Sequence, residues 1–208
     1  MLKRSLVILP SGNTILGNEE GERELVYLNA LADLLQEKYS FEVVFFNYPQ
    51  RRGGGSSSVY FIDKSRLILE DLLEDLRFNE NGSISLLGIS VGAEVALQYL
   101  MKSEGNVVVN FISIGNFIAG SVHIKSCCYQ ISLVFGADDL VEILYGDHQR
   151  SLLPVDYGQV CLKNISALYP VISSKVVVLP DRDHTLLPSD GRGNTDDTVM
   201  ILSNLVLN

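Results

Sequence analysis

The sequence predicts an α/β protein, with a mostly parallel sheet of roughly six strands flanked by helices on both faces, in a single domain over residues 1–208. Three observations predict it. Short β-branched or aromatic runs alternate with helical patterns from end to end, without an internal repeat or linker. Those runs are nearly continuous in hydrophobicity, which suits strands buried on both faces. The 47% hydrophobic content of 208 residues is enough for one substantial core.

The first strand is expected at Ser5–Leu9 (SLVIL). The surrounding MLKRSLVILP is not expected to be a signal peptide, because its apolar run is too short for an h-region. A helix follows over Glu19–Tyr39, with Leu28, Leu31 and Leu35 on one face. Glu42–Phe46 (EVVFF) reads as the second strand, and Ile68, Leu72 and Leu76, widened by Leu69 and Leu73, mark the next helix. The turn-like NENG at Asn79–Gly82 leads into a strand at Ser83–Leu87 (SISLL). Beyond Ser90, Val91, Val95 and Leu97–Met101 repeat at helical spacing, with Glu94 in the first turn, where the helix dipole favours an anion. Strands are then expected at Val107–Ile114, Gln130–Phe135 and Lys175–Leu179, and helices around Leu140–Leu144, Gln159–Leu168 and Thr195–Leu207.

Charge and composition exclude several classes of function. A net charge of −9 and a pI near 4.8 argue against broad binding of nucleic acid or anionic membrane, both of which need a basic surface. Three cysteines, two of them adjacent at Cys127 and Cys128, offer neither a disulfide framework nor metal-ligand spacing. No segment approaches the roughly 18 apolar residues of a membrane span. A cytoplasmic protein without cofactor or metal is expected, and the composition leaves its oligomeric state open.

The stretch LLGISVGAEVALQYL, Leu86–Leu100, sets Ser90 between Gly88 and Gly92 where a strand gives way to a helix. With 17 glycines in the chain, a bare G-x-S-x-G carries little weight. Its context adds weight: a strand-to-helix turn lifts a serine hydroxyl clear of the sheet, Gly88 and Gly92 let the backbone pass close to its neighbours, and Ala93 keeps the helix near the strand. The alternative is a glycine-rich turn whose serine simply caps the helix.

A serine nucleophile needs a base and a group that orients the base, both at carboxyl ends of later strands. After QISLVF comes GADDLV, offering Asp138 and Asp139; after KVVVL comes PDRDHTLLP, offering His184. The other two histidines, His123 and His148, read as surface or core residues.

The order of serine turn, acid two strands later and histidine after the last strand resembles the α/β-hydrolase superfamily, over nearly the whole chain. Gly136–Val141 looks like the family's acid loop, a pattern that favours Asp139 over Asp138. VILPSGN, Val7–Asn13, is similar to the family's oxyanion loop, with Ser11 where histidine often stands; the resemblance implies backbone N–H donors at Asn13 and Val91. NYPQRRGGGSSS, Asn47–Ser58, resembles the family's loop after the next strand. The two leading strands of larger members are not expected here, and the short connection between the fourth and fifth strands leaves little room for a lid.

The resemblance implies a serine hydrolase with the triad Ser90, Asp139 and His184, acting on a small-molecule carboxylic ester or thioester through an acyl-enzyme. An inert binding protein on the same fold, or a peptidase or acyltransferase using the same triad, are the alternatives. Ile15, Phe117, Ile118, Leu140 and Leu186 are expected either near the cleft, favouring an acyl group, or in the core. SGNT at Ser11–Thr14 also resembles the phosphate loop of flavodoxin-like proteins, but four glutamates in the following ILGNEEGERE would repel phosphate.

Overall fold

The computed structural model describes residues 3–49, 59–80, 82–104, 107–116, 118, 120–139, 141–145, 148–152, 154–169, 171, 173–191 and 193–208. Six strands form one sheet: β1 (Arg4–Leu9), β2 (Phe41–Phe45), β3 (Ser83–Ile89), β4 (Val107–Ile114), β6 (Cys127–Gly136) and β10 (Ser173–Leu179), in the order β10-β6-β4-β3-β1-β2. Every pairing in it is parallel. The chain runs from β1 outward to β2, then crosses back to place β3 on the other side of β1. This reversal of direction opens a crevice beyond the carboxyl ends of β1 and β3, where open α/β sheets bind ligands.

Six helices are described: α1 (Gly12–Leu16), α2 (Glu19–Tyr39), α3 (Val59–Glu80), α4 (Val91–Lys102), α5 (Pro154–Asn164) and α6 (Asp196–Leu207). Alternate β1 residues point to opposite faces. Val7 and Leu9 join Leu69 and Leu73 of α3, Val95 and Tyr99 of α4 and Tyr157 of α5. Leu6 and Ile8 join Leu28, Leu31 and Leu35 of α2 and Leu202 and Val206 of α6. All four β1 side chains are fully buried, each contributing roughly 1.5–3 kcal/mol by leaving water. None of the helices, among the described residues, is long and apolar enough to cross a membrane.

Departures from the expected elements are local. Leu140–Leu144 was expected to be helical, but Val141–Tyr145 is a strand, β7, paired antiparallel with β8 (His148–Leu152) in a hairpin. A short apolar run of this kind fits either period, and the antiparallel pairing with β8 makes it a strand. The helix expected over Gln159–Leu168 starts earlier, at Pro154, a residue suited to a first helical turn, and ends at Asn164. Ile165–Ala167 forms β9, which pairs in parallel with β5 (Val122–Ile124) beside the main sheet. Residues 50–58, with most of the Asn47–Ser58 loop, lie outside the described residues.

Candidate active site

Ser90 occupies the junction of β3 and α4 with φ 52° and ψ −114°. Side chains other than glycine rarely hold positive φ, and such strain concentrates at functional positions. The capping alternative fails on geometry, because the Ser90 side chain makes no cap hydrogen bond to α4. Its backbone is fixed from both sides instead. The Ser90 N–H donates to Ile114 O at 2.8 Å, tying the turn to the end of β4, and Ser90 O accepts from Glu94 N–H at 3.1 Å, starting the helix.

The two glycines of GISVG are required by close approach. A Cβ on Gly88 would lie 2.5 Å from Ala93 Cα, and one on Gly92 would run into the carbonyl of Leu9. Gly92 thus lets α4 sit against the end of β1, with the Val91 N–H in the unpaired first turn of the helix.

The structure joins Asp139 to His184 and leaves Asp138 aside. His184 Nδ1 and Asp139 Oδ2 are 3.0 Å apart, with the Asp139 side chain 9% exposed and the His184 ring 47% exposed. Asp138 is exposed. The acid loop after β6 and the histidine loop after β10 are stitched together by their backbones: Ala137 N–H donates to Leu179 O at 2.8 Å and Asp138 N–H to Arg182 O at 3.0 Å. A side chain on Gly136 would collide with the carbonyls of Arg182 and Asp183, so the glycine permits the seam. Gly115, at φ 56°, lies against the His184 ring and follows the residue that accepts from Ser90 N–H. The Ile114–Gly115 step therefore touches both the serine turn and the imidazole. Among the described residues, no hydrogen bond joins the Ser90 hydroxyl to the ring.

Asp183, not singled out in the sequence, and Leu186 shape the histidine loop. Asp183 Oδ1 accepts from Thr185 N–H at 2.8 Å, Thr185 Oγ1 at 3.1 Å and Leu187 N–H at 2.9 Å, folding the loop around His184. The D-x-T spacing that lets an aspartate bond the backbone two residues on was its signal. Leu186 is held at φ 64° and is fully buried.

The His184 pKa is raised above the ordinary histidine value. The hydrogen bond to Asp139 is the largest cause, desolvation opposes it, and the negative charges of Asp139 and Asp183 favour the imidazolium further. The segment expected to be the oxyanion loop, Val7–Asn13, runs from β1 into α1, with Ser11 as the N-cap: Asn13 N–H donates to Ser11 Oγ at 3.1 Å. Of the apolar residues expected at the cleft or in the core, Ile118 and Leu186 are core residues, Ile15 is partly exposed, and Phe117 and Leu140 lie outside the described residues. His123 sits in β5, exposed and 3.0 Å from Ser166 Oγ, and His148 lies in β8.

No protein-family model and no curated protein matches this sequence. Solved structures do match it. One is an alpha-beta serine hydrolase homologue from Coxiella burnetii, at 16% identity and a TM-score of 0.59 over 100% of this chain and 84% of that one. Another, from Xanthomonas campestris, is described as a member of a/b serine hydrolase without lid, at 16% identity and a TM-score of 0.59 over 99% of this chain and 80% of that one. A protein of unknown function from Agrobacterium tumefaciens shares 14% identity and a TM-score of 0.56 over 98% of this chain and 91% of that one. Identities this low speak to fold.

Proposed function

We propose that this chain, which has the α/β-hydrolase fold, is a serine hydrolase that cleaves small carboxylic esters or thioesters through an acyl-enzyme. The observation that carries the reading is Ser90 itself: a non-glycine residue held at φ 52° whose hydroxyl does not cap its helix. Strain of roughly 1–3 kcal/mol is retained there although glycine would relieve it, and the Ile114–Gly115 step links the serine turn to the ring of His184, which is hydrogen-bonded to the buried Asp139.

In this reading Ser90 Oγ attacks the substrate carbonyl carbon while neutral His184 takes the hydroxyl proton. Asp139 holds the Nδ1–H tautomer, leaving Nε2 free to accept, and stabilises the imidazolium that forms. Negative charge gathers on the carbonyl oxygen and is met by the Val91 N–H and by the N–H of Asn13, which must exchange its local bond to Ser11 Oγ for one to the oxyanion. The imidazolium returns its proton to the leaving alcohol or thiol as the tetrahedral intermediate collapses. Water, deprotonated by the same histidine, then attacks the acyl-enzyme, releasing the carboxylic acid and restoring Ser90. Catalytic hydrogen bonds commonly tighten only when substrate is bound, so the open Ser90 hydroxyl is compatible with this sequence of steps.

The Xanthomonas neighbour's lack of a lid favours small, water-soluble substrates here as well. Labelling with a broad fluorophosphonate, followed by a panel of esters of increasing acyl length, tests the reading. Wild type should be labelled and Ser90→Ala should not; equal labelling of the two proteins would sink it.

A further inference from the structure

Glu24 stands on the apolar face of α2 that also carries Leu28, Leu31 and Leu35, and it is fully buried. Its Oε1 accepts from Ser11 N–H at 2.8 Å and from Thr14 Oγ1 at 3.1 Å, so one carboxyl oxygen grips both sides of the segment that carries Asn13. Gly21, one turn earlier, lets α1 lie directly on α2: a Cβ there would come within 2.6 Å of Thr14 Cα. One turn later, the Tyr27 hydroxyl donates to Thr185 O at 2.8 Å, beside His184. Successive turns of a single helix therefore hold the loop after β1 and the loop after β10.

We propose that Glu24 is a positioning residue for the reaction read above: its carboxyl group fixes the Ser11–Thr14 segment so that the Asn13 N–H is aimed at the crevice in front of Ser90, while Tyr27 sets the histidine loop from the same helix. The proposal rests on the serine-hydrolase reading for its consequence in rate, but not for its consequence in structure.

The surroundings of Glu24 favour the neutral acid over the carboxylate. Its second oxygen, Oε2, is buried without a hydrogen-bond partner, and an ionised carboxylate left so would be costly. Burial raises the Glu24 pKa and the nearby Asp183 charge acts in the same direction, against the lowering effect of the Ser11 and Thr14 bonds. Tyr27 of the same helix and Tyr48, whose hydroxyl donates to Pro10 O at 2.8 Å, are themselves held protonated by burial, and His184 faces the group from the last loop. No cation compensates it among these neighbours. A neutral Glu24 also keeps negative charge away from the place where the oxyanion forms, which an ionised one would oppose. Glutamine is then its faithful substitute, since the amide oxygen can accept from Ser11 and Thr14 without charge.

The test compares Glu24→Gln and Glu24→Ala with wild type in two independent measurements. The first is ester turnover per site, with sites counted by fluorophosphonate, so that misfolded protein is not scored. Glu24→Ala should lose on the order of 10²-fold in kcat with KM changed little, as expected for a misplaced oxyanion donor, while Glu24→Gln stays within about threefold of wild type. The second is hydrogen exchange of the Ser11 amide, which needs no activity: protection should fall in Glu24→Ala and persist in Glu24→Gln. Unchanged kcat per site in Glu24→Ala, or a Glu24→Gln variant as impaired as the alanine one, overturns the proposal. If Glu24→Ala cannot be folded, Thr14→Val and Glu24→Gln decide it: loss of Ser11 protection in Glu24→Gln overturns it, and retained protection with retained kcat supports it. Absence of turnover in wild type would overturn the serine-hydrolase reading, and the Ser11 amide would then still decide whether Glu24 holds the segment.

Discussion

Asp139 and His184, which close the acid and histidine loops, meet Oδ2 to Nδ1 at 3.0 Å, with the carboxylate nearly buried and the ring half exposed. The neighbouring Asp138 points to solvent. Asp139→Asn should therefore slow ester turnover by about 10⁴-fold, through loss of the correct tautomer. Asp138→Asn should stay within about threefold of wild type, as surface substitutions usually do. Steady-state kinetics on both folded variants checks the pair; a more damaging Asp138 change would contradict it.

The acylation rate should rise with pH as His184 loses its proton, with a midpoint above the ordinary histidine pKa of about 6.5, because the Asp139 hydrogen bond and the surrounding carboxylates favour the imidazolium. Stability runs the other way. A pKa raised in the folded state contributes stability that is present below the unfolded value and lost as pH climbs through the folded one. The form that reacts is thus the form that forgoes the ion pair. Burst kinetics across pH 5–9 in wild type and His184→Ala would check the first half, and the same titration should be unaltered in His123→Ala. Retention of substantial rate by His184→Ala with an unchanged profile would end the triad reading.

Ser90→Gly should abolish turnover and at the same time stabilise the fold. Glycine adopts positive φ without penalty, so relief of the strain at φ 52° should add about 1 kcal/mol, which is roughly 2–4 °C in Tm for a chain of this size. Calorimetry on Ser90→Gly beside Ser90→Ala separates the backbone effect from loss of the hydroxyl. A glycine variant less stable than the alanine one would contradict this account.

Gly92→Ala should cost about 1–3 kcal/mol, because the new methyl meets the backbone carbonyl of Leu9 and neither α4 nor β1 has room to yield. Denaturant unfolding reads the loss. Wild-type stability in this variant would mean that helix and strand are packed more loosely than the contact implies.

Only residues 115–126 connect β4 to β6, and β5 already occupies part of them. Short-chain, water-soluble esters should be hydrolysed without a jump in rate at a lipid interface. Rates on a long-chain ester measured through its solubility limit check this; a sharp rise above the limit would be the contrary result.

The six strands of the main sheet and the α2 boundaries were legible because buried parallel strands and an amphipathic helix each leave a clear period in the chain. The small strands β5, β7, β8 and β9 were not, since they are short and lie outside the buried main sheet, whose continuous β-branched or aromatic runs, such as EVVFF in β2, mark a strand. At the candidate site, Ser90 and His184 could be singled out by motif and position, and the loop pattern favoured Asp139 over Asp138, a choice that agrees with the burial of Asp139 and the exposure of Asp138. Glu24 was missed as a site residue. It was counted among glutamates that would repel phosphate, although its place four residues before Leu28 already put a carboxyl on a greasy face, where a charged residue calls for a reason.

β10 lies at the rim of the sheet, paired on one side only, and it carries the histidine loop. Rim strands fray at lower free-energy cost than interior ones, because fewer contacts must be given up. Opening of β10 would unzip the seam to the acid loop and withdraw His184 while Ser90, anchored between interior strands, stayed in place. Turnover would then vanish in denaturant before the bulk of the secondary structure does, leaving a compact, silent species in which the serine has lost its partner.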